Sequence, residues 1–463
     1  MPAPDDLCDL PAHLLAKRLR EREVTVGEVL EAHLARIERR NPALNAVVSL
    51  DVERARKLAR KSQAALDRGA VMGPLHGVPM TLKDGHDVAG LRTTVGTADL
   101  DRLATTDGAV AARLARAGAI VTAHSNVAAW LADFQSENPV FGRTRNPWDE
   151  TRTPGGSSGG AATAVATGLS PIEVGSDMTG SIRLPAHFTG IYGLKTTEHR
   201  VPLTGFYGPS DGPPRPVRIL SCLGPMARDL DDLELVLKII SGPDDRDGDV
   251  PPVPLGAKPR VRLARLRLAF APTLPGVTIA SSIRERLEQV AARASAAGCH
   301  VEQRLPDLDW EAVYELVRDL PSVVTAVFEP RVEEHDARQS LAWYMAALGR
   351  RDGFITGWQA FFEKVDVLLL PSAATPAFLH CRPGASIEVG GETIGYWESG
   401  RLLTAINVPA LPALAVPAGL DANGLPIGIQ LVGPLWSEMR LLAIARELER
   451  AGVLPGFQPP PGE

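Results

Sequence analysis

One stretch constrains this chain more than any other. Thr153-Pro-Gly-Gly-Ser-Ser-Gly-Gly160 runs into Ala161-Ala-Thr-Ala-Val-Ala-Thr167 and closes at Gly168. The breakers at its start favour a loop, and the alanine-rich run after them favours a helix. A helix without bulky side chains lets its neighbours approach closely, so it is expected to be buried. A short strand, Ile172-Glu-Val174, follows, and then a loop from Gly175 to Ser181. The interior has to be assembled around this segment.

Around it, helical and strand-like patterns alternate. Thr25 and Glu28 form a T-x-x-E capping box ahead of Val29, Leu30, Leu34 and Ile37, a helix expected to stop at Asn41-Pro42. A second helix follows Asp51, with Val52, Ala55, Leu58, Ala59 and Leu66 on one face, and ends at Gly69. Gly73-Pro-Leu-His-Gly-Val-Pro79 is a turn into the strand-like Met80-Thr-Leu-Lys83. A helix from Asp107 carries Val110 and Leu114, closes at Gly118 and feeds Ala119-Ile-Val-Thr122. Further on, Asp244–Asp249 with Pro251-Pro252 reads as a surface linker. Ile283, Leu287, Val290 and Ala294 mark a helix, and 310–362 is helical with several aromatics. Val367–Leu370 is a buried strand, and Leu441, Leu442, Ala445 and Leu448 belong to a closing helix. This is α/β grammar, without the 20–50-residue period of a solenoid.

Composition removes several classes. At 463 residues, 44% hydrophobic and 22% charged, the profile is that of a soluble globular chain. A net charge of −6 without a Lys/Arg block leaves no nucleic-acid footprint. The N-terminus lacks a signal-peptide pattern, and no apolar run reaches the roughly 18 residues of a membrane span. Cys8, Cys222, Cys299 and Cys381 are scattered without a CxxC pair. That spacing argues against a zinc site or a disulfide framework, and for a reducing cytoplasm.

Three clusters could carry chemistry. The Gly155–Gly160 loop precedes a helix but lacks the Gly-Lys-Ser/Thr ending of a phosphate-binding loop, and no G-x-G-x-x-G is present there. Gly175-Ser-Asp-Met-Thr-Gly-Ser-Ile-Arg183 ends a strand in a turn that can expose a serine and aim backbone N–H groups at one point, as an oxyanion hole requires. The G-x-S-x-G elbow is absent around Ser181. Lys83 ends an apolar strand-like segment; a lysine buried there loses basicity and can act as a base near neutral pH. His76, His86 and His187, with Asp84 or Asp177, leave a Ser–His–Asp arrangement open at this level.

In this order, the clusters resemble the amidase signature family over most of the chain. Pro154–Gly160 resembles its glycine–serine stretch, Glu173–Ala186 its nucleophile segment and Gly190–Lys195 the continuation. Gly73–Pro79 with Lys83-Asp84 resembles its lysine segment, and Glu137–Asp149 a lead-in found in bacterial members. Asn407-Val-Pro-Ala-Leu-Pro412 and Gly424–Gly433 resemble its closing strands. The resemblance implies one large domain over 1–463, a central mixed twisted β-sheet covered on both faces by helices. Its signature core would span about 70–200 and a variable pocket region about 310–400. It further implies Ser181 as nucleophile, Lys83 as base and Ser157, 24 residues before Ser181, as the bridging serine in a cis peptide after Gly156. Ser158 is the rival for that place. Backbone N–H groups of Met178, Thr179, Gly180 and Ser181 would form the oxyanion hole, supported by Ser158, Asp177 and Arg183. No metal or cofactor is called for.

Two departures stand out: Thr179 where the family usually has glycine, and Thr196 where it usually has proline. The implied substrate is a small-molecule amide, carbamate or aryl ester, taken between Trp130, Phe134 and Gln135. Further aromatics in reach are Trp343, Tyr344, Trp358, Phe361, Phe362, Tyr396 and Trp397. The expected protein is a cytoplasmic monomer or homodimer without nucleic-acid or membrane partners. The competing reading is the glutaminase component of a tRNA-dependent amidotransferase, which shares the catalytic segments but works in a complex. A catalytically dead binding protein is disfavoured, because all three reacting residues are retained.

Overall fold

The computed structural model describes residues 4–208, 215–325 and 340–462. Alternate residues of its strands sort into two cores. In strand Ala413–Leu420, Leu414, Val416 and Ala418 join one apolar cluster, whereas Ala413 joins another. In strand Val367–Pro371, Val367 and Leu369 face the first, Leu368 and Leu370 the second. Successive side chains point to opposite faces of a sheet, so a sheet apolar on both faces must be covered on both.

That sheet has eight strands in the order His300–Gln303, Arg267–Phe270, Val367–Pro371, Pro426–Val432, Ala413–Leu420, Tyr192–Lys195, Cys222–Ala227 and Ile172–Asp177. The first three pair in parallel and the rest antiparallel. Leu233 and Val236 of helix Leu230–Ile240, Leu287 and Val290 of helix Ser281–Ala296, and Leu442 and Leu448 of helix Glu438–Arg450 cover one face. Leu184 and Phe188 of helix Arg183–Thr189 cover the other. The mixed α/β sheet with helices on both faces is therefore as expected. Every residue of helix Gly159–Ala166 is buried. A Cβ at Gly160 would lie 2.3 Å from the Asn126 carbonyl oxygen, which is the close approach its composition anticipates.

Lys83 is not in the large sheet. Its strand, Pro79–Lys83, lies in a three-stranded sheet, parallel to Ile120–Ser125, which pairs antiparallel with Val47–Val48. The small sheet meets the large one through side chains: the Thr81 hydroxyl donates to Glu173 Oε1 at 2.6 Å.

Two local expectations need correction and a third is refined. Helix Val26–Leu44 has its capping box at Thr25 and Glu28 but runs past Pro42. Proline lacks only its own N–H, and the final turn closes through the Asn45 N–H onto Asn41 O at 2.7 Å, with Asn45 left-handed. Strand Ile172–Asp177 continues through Gly175 and Ser176 instead of looping out. Gly175 pairs with Gly224, where a Cβ would sit 1.8 Å from Leu194 O. The Asp244–Asp249 stretch is more than linker, since buried Asp247 accepts the Leu203 N–H at 2.9 Å and Arg218 Nη1 at 2.7 Å. The predicted helical segment resolves into helices Trp310–Thr325 and Leu341–Phe362, with 326–339 outside the described residues.

Candidate active site

Strand Pro79–Lys83 is buried along its whole length and delivers Lys83, 0% exposed, to the meeting point of the two sheets. Its Nζ lies 2.8 Å from Ser157 Oγ, 2.7 Å from Ser158 Oγ and 2.8 Å from Ser176 Oγ. Burial brings the amine down to about 7, against the opposing pull of the Asp177 and Glu173 carboxyls. A neutral amine offers two N–H donors and one lone pair. With three hydroxyls around it, one of them then donates its proton toward Nζ.

The three serines are not equivalent. Ser157 follows a cis peptide bond from Gly156 and lines a cavity of about 670 Å³, together with Ser176 and Ser181. Ser158 is 0% exposed and faces inward; its N–H donates to Ser181 O at 3.3 Å and its hydroxyl to Ser176 O at 3.3 Å. Ser157 and Ser176 are thus the lysine-bound serines that share the cavity with Ser181, whereas Ser158 ties the loops together.

Strand Ile172–Asp177 leads into the Met178–Ser181 loop, which Asp177 clamps. Its carboxylate accepts the N–H groups of Gly180 at 2.9 Å and Ile182 at 3.1 Å, and Arg183 Nη2 at 3.0 Å and Nε at 3.1 Å. Arg183 also donates to Gln430 Oε1 at 2.9 Å, Leu403 O at 3.0 Å and Asn407 Oδ1 at 2.5 Å. Burial alone would raise Asp177, but the adjacent guanidinium overrides it and holds the carboxyl below the ordinary range. Two residues that sequence reasoning does not single out, Asn407 and Gln430, reach in from the C-terminal third. Their Asn-Val-Pro and Ile-Gln-Leu contexts signal closing strands rather than a site.

Gly180 has φ +114°, and a Cβ there would meet Leu403 Cδ1 at 2.4 Å. Thr179 does not take a left-handed conformation, so its β-branch costs the loop nothing of that kind. Because the Gly180 N–H is taken by Asp177, the loop N–H groups without a protein partner among the described residues are those of Met178, Thr179 and Ser181.

Glu173, fully buried beneath Lys83, accepts from Thr81 and from the Val174 N–H at 3.1 Å; burial pushes it up to about 7. The histidines hold backbone and core. His76 Nδ1 accepts the Met72 N–H at 3.1 Å and orders its turn, His187 engages Gly428 and Thr375, and His86 is buried against Phe206. Burial lowers His86 to about 3 and His187 to about 4, so both are neutral. Asp84 is bound by the Thr94 N–H and hydroxyl.

Trp130 and Phe134 line the cavity with Met178, Thr179, Phe206, Tyr207, Val217, Tyr314, Val317 and Trp397. Gln135 does not: it is 1% exposed, and its amide holds Cys381 O at 2.8 Å and Tyr396 Oη at 3.2 Å. Trp358, Phe361 and Phe362 pack on one another in the core, away from the lining. Among the described residues, one group of metal-ligand type, His13, Asp229 and Asp231, lies outside this cavity, and Asp232 already takes His13 Nδ1 at 2.9 Å. All four cysteines are free. No described helix is long and apolar enough to cross a membrane.

A family model described as Amidase matches residues 28–318 and 316–442. An indoleacetamide hydrolase of Bradyrhizobium diazoefficiens is 33% identical over 461 residues, covering 95% of this chain and 86% of that protein. The A-type component of a glutamyl-tRNA(Gln) amidotransferase from a Synechococcus species is 30% identical over 498 residues, covering 98% and 99%. A solved bacterial aryl acylamidase of the amidase signature enzymes superposes with a TM-score of 0.81 at 25% identity, covering 96% of this chain and 97% of that one.

Proposed function

This chain belongs to the amidase signature family, and on that premise we propose that it hydrolyses small-molecule carboxylic amides through Ser181, Ser157 and Lys83. One observation carries the proposal. Lys83, buried and free of any carboxylate ion pair among the described residues, lies 2.8 Å from a serine that shares a cavity with Ser181.

Neutral Lys83 takes the Ser157 proton as Ser157 takes the proton of Ser181, whose Oγ bonds to the substrate carbonyl carbon. The oxyanion that forms is met by the N–H groups of Met178, Thr179 and Ser181, each such donor being worth about 10²–10³ in rate. Collapse breaks the C–N bond, and Ser157 passes the proton to the departing nitrogen while Lys83 returns one to Ser157. Water then attacks the acyl-Ser181 ester by the same relay, releasing the acid. Aryl carbamates and esters pass through the same tetrahedral centre and are further substrates in this proposal. The free cysteines favour a cytoplasmic setting, as a monomer or homodimer.

A second reading, the glutaminase component of an amidotransferase, is favoured by the full-length likeness to the Synechococcus protein. Purified chain assayed on aliphatic amides, anilides, aryl carbamates, aryl esters and glutamine separates the two. The amidase reading expects turnover of amides without a partner chain, lost in Ser181→Ala. Glutaminase activity alone, with a tightly bound second protein, would establish the other, and full activity in Ser181→Ala would remove the mechanism.

A further inference from the structure

The cavity wall carries a carboxyl that the hydrolytic relay does not use. Asp133 lines the cavity alongside Trp130, Phe134 and Trp397. Other charges at the lining are paired: Arg401 meets Glu398 at 2.9 Å, and Arg318 meets Asp319 at 2.7 Å. Asp133 meets no basic side chain among the described residues. Its partners are the Tyr396 hydroxyl at 2.5 Å and the Phe134 N–H at 2.7 Å, both on Oδ1, and the backbone N–H of Gln135.

The group is held rigidly. Tyr396 is fully buried and is itself gripped by Gln135, which also holds Cys381. A Cβ on Gly156, the residue before Ser157, would lie 2.5 Å from Asp133 O, so the loop rests directly on the peptide that carries the bridging serine. Trp130 and Leu131, just upstream, both have φ of 56°. Consecutive left-handed non-glycine residues are costly and concentrate at functional sites.

Burial raises Asp133 above the ordinary range, helped by the nearby Glu137 charge and against the opposing hydrogen bonds from Tyr396, Phe134 and Gln135; what the half-buried carboxylate lacks among the described residues is a cation. No cationic side chain among the described residues compensates it. The surrounding walls are aromatic: Trp397 is 55% exposed, and its indole packs against Phe134 at 5.3 Å between ring centroids. A carboxylate flanked by aromatic faces suits an ammonium group, which donates a charge-assisted hydrogen bond to the carboxylate and makes a cation–π contact with the rings.

We infer that Asp133 receives a protonated amino group of the substrate, so that the preferred amides carry a cationic amine within reach of the scissile bond. This rests on the amide-hydrolase reading above.

Two isosteric pairs test it: 4-aminobutananilide against pentananilide, with the amine on the acyl side, and N-(2-aminoethyl)benzamide against N-propylbenzamide, with it on the leaving side. In at least one pair the ammonium member should have a kcat/KM higher by roughly 10-fold or more. Asp133→Asn should collapse that ratio through KM, and Asp133→Glu should restore part of it. A wild-type ratio of one or less in both pairs overturns the inference, as does a ratio that survives Asp133→Asn.

Calorimetric titration of the wild-type chain with 2-phenylethylammonium and with 2-phenylethanol needs neither a folded variant nor turnover. Tighter binding of the ammonium supports the inference, and equal or weaker binding overturns it. Absence of hydrolysis of all four amides would instead reject the amide-hydrolase reading, with the titration still deciding the role of Asp133.

Discussion

Acidification through pH 7 should switch the enzyme off with the slope of a single proton. In the proposed mechanism the base is Lys83, fully buried among three serine hydroxyls and brought down to about 7 by that burial. Half of it is then neutral at pH 7, about a tenth at pH 6 and about a hundredth at pH 5, and kcat/KM should fall by about tenfold per pH unit. A lysine at its ordinary ~10.4 would be neutral in only about 0.04% of molecules at pH 7, and its profile would climb to about pH 10. Glu173 is pushed up by burial into the same range, so the limb belongs to the two groups jointly. Removing its charge in Glu173→Gln should move the limb to lower pH, because that charge favours protonated Lys83.

The same shift has a stability signature. Between pH 7 and about 10.4 the unfolded lysine is protonated while the folded one is neutral, so the unfolded state binds more protons and stability rises with pH. Over the full window the change is on the order of 5 kcal/mol. Steady-state kinetics on a neutral amide from pH 5 to 10, with urea melts of wild type and Lys83→Met at pH 7 and pH 9, measure both effects. A profile flat from pH 5 to 8, an acid limb above pH 9, or the same stability slope in Lys83→Met would each refute the assignment.

Other substitutions probe the scaffold. Gly180→Ala places a methyl 2.4 Å from Leu403 Cδ1 at φ +114°, and should lower kcat by about 100-fold or more together with the melting temperature. Thr179→Gly should keep turnover, since no left-handed conformation is required there, while lowering KM for bulkier acyl groups in a substrate series. Arg183→Lys keeps the charge but loses the fork that joins Asp177, Gln430 and Asn407, and should cost about 3 kcal/mol in a urea titration. Trp358→Ala should cost about 3–5 kcal/mol, with KM little changed at temperatures where the variant is folded, because that indole belongs to the core and not to the cavity.

The proposed reacting groups are legible in the sequence because each depends on local backbone chemistry. A glycine run before an alanine-rich helix, a strand ending in a serine-bearing turn and a lysine closing an apolar strand are short-range patterns, and the structure brings Ser157 and the Ser181 loop to one cavity, with Lys83 buried behind Ser157. The substrate walls depend on tertiary contacts instead. Residues near 130, 206, 217, 314 and 397 converge only after folding, so an aromatic at 358 and one at 397 look alike in the sequence, although one is sealed in a core and the other stands open. Gln135 shows the same limit, one residue beyond Phe134 yet turned away to hold Cys381.

Thr179 brings the two kinds of information together. A pair of glycines at 179 and 180 would not reveal which of them the backbone needs, since either could supply the left-handed residue of the turn. With threonine at 179 the sequence already restricts the choice, because a β-branched residue is a poor occupant of φ > 0. The structure places the whole requirement on Gly180, whose φ of +114° and contact with Leu403 leave no room for a Cβ. The Asp177 carboxylate then explains why the loop holds its shape with one glycine fewer: it fixes Gly180 and Ile182 through their N–H groups, and is itself fixed by Arg183 and Asn407. Position 179 is thereby free to carry a side chain into the cavity, so variation there changes the space offered to the acyl group without dismantling the loop.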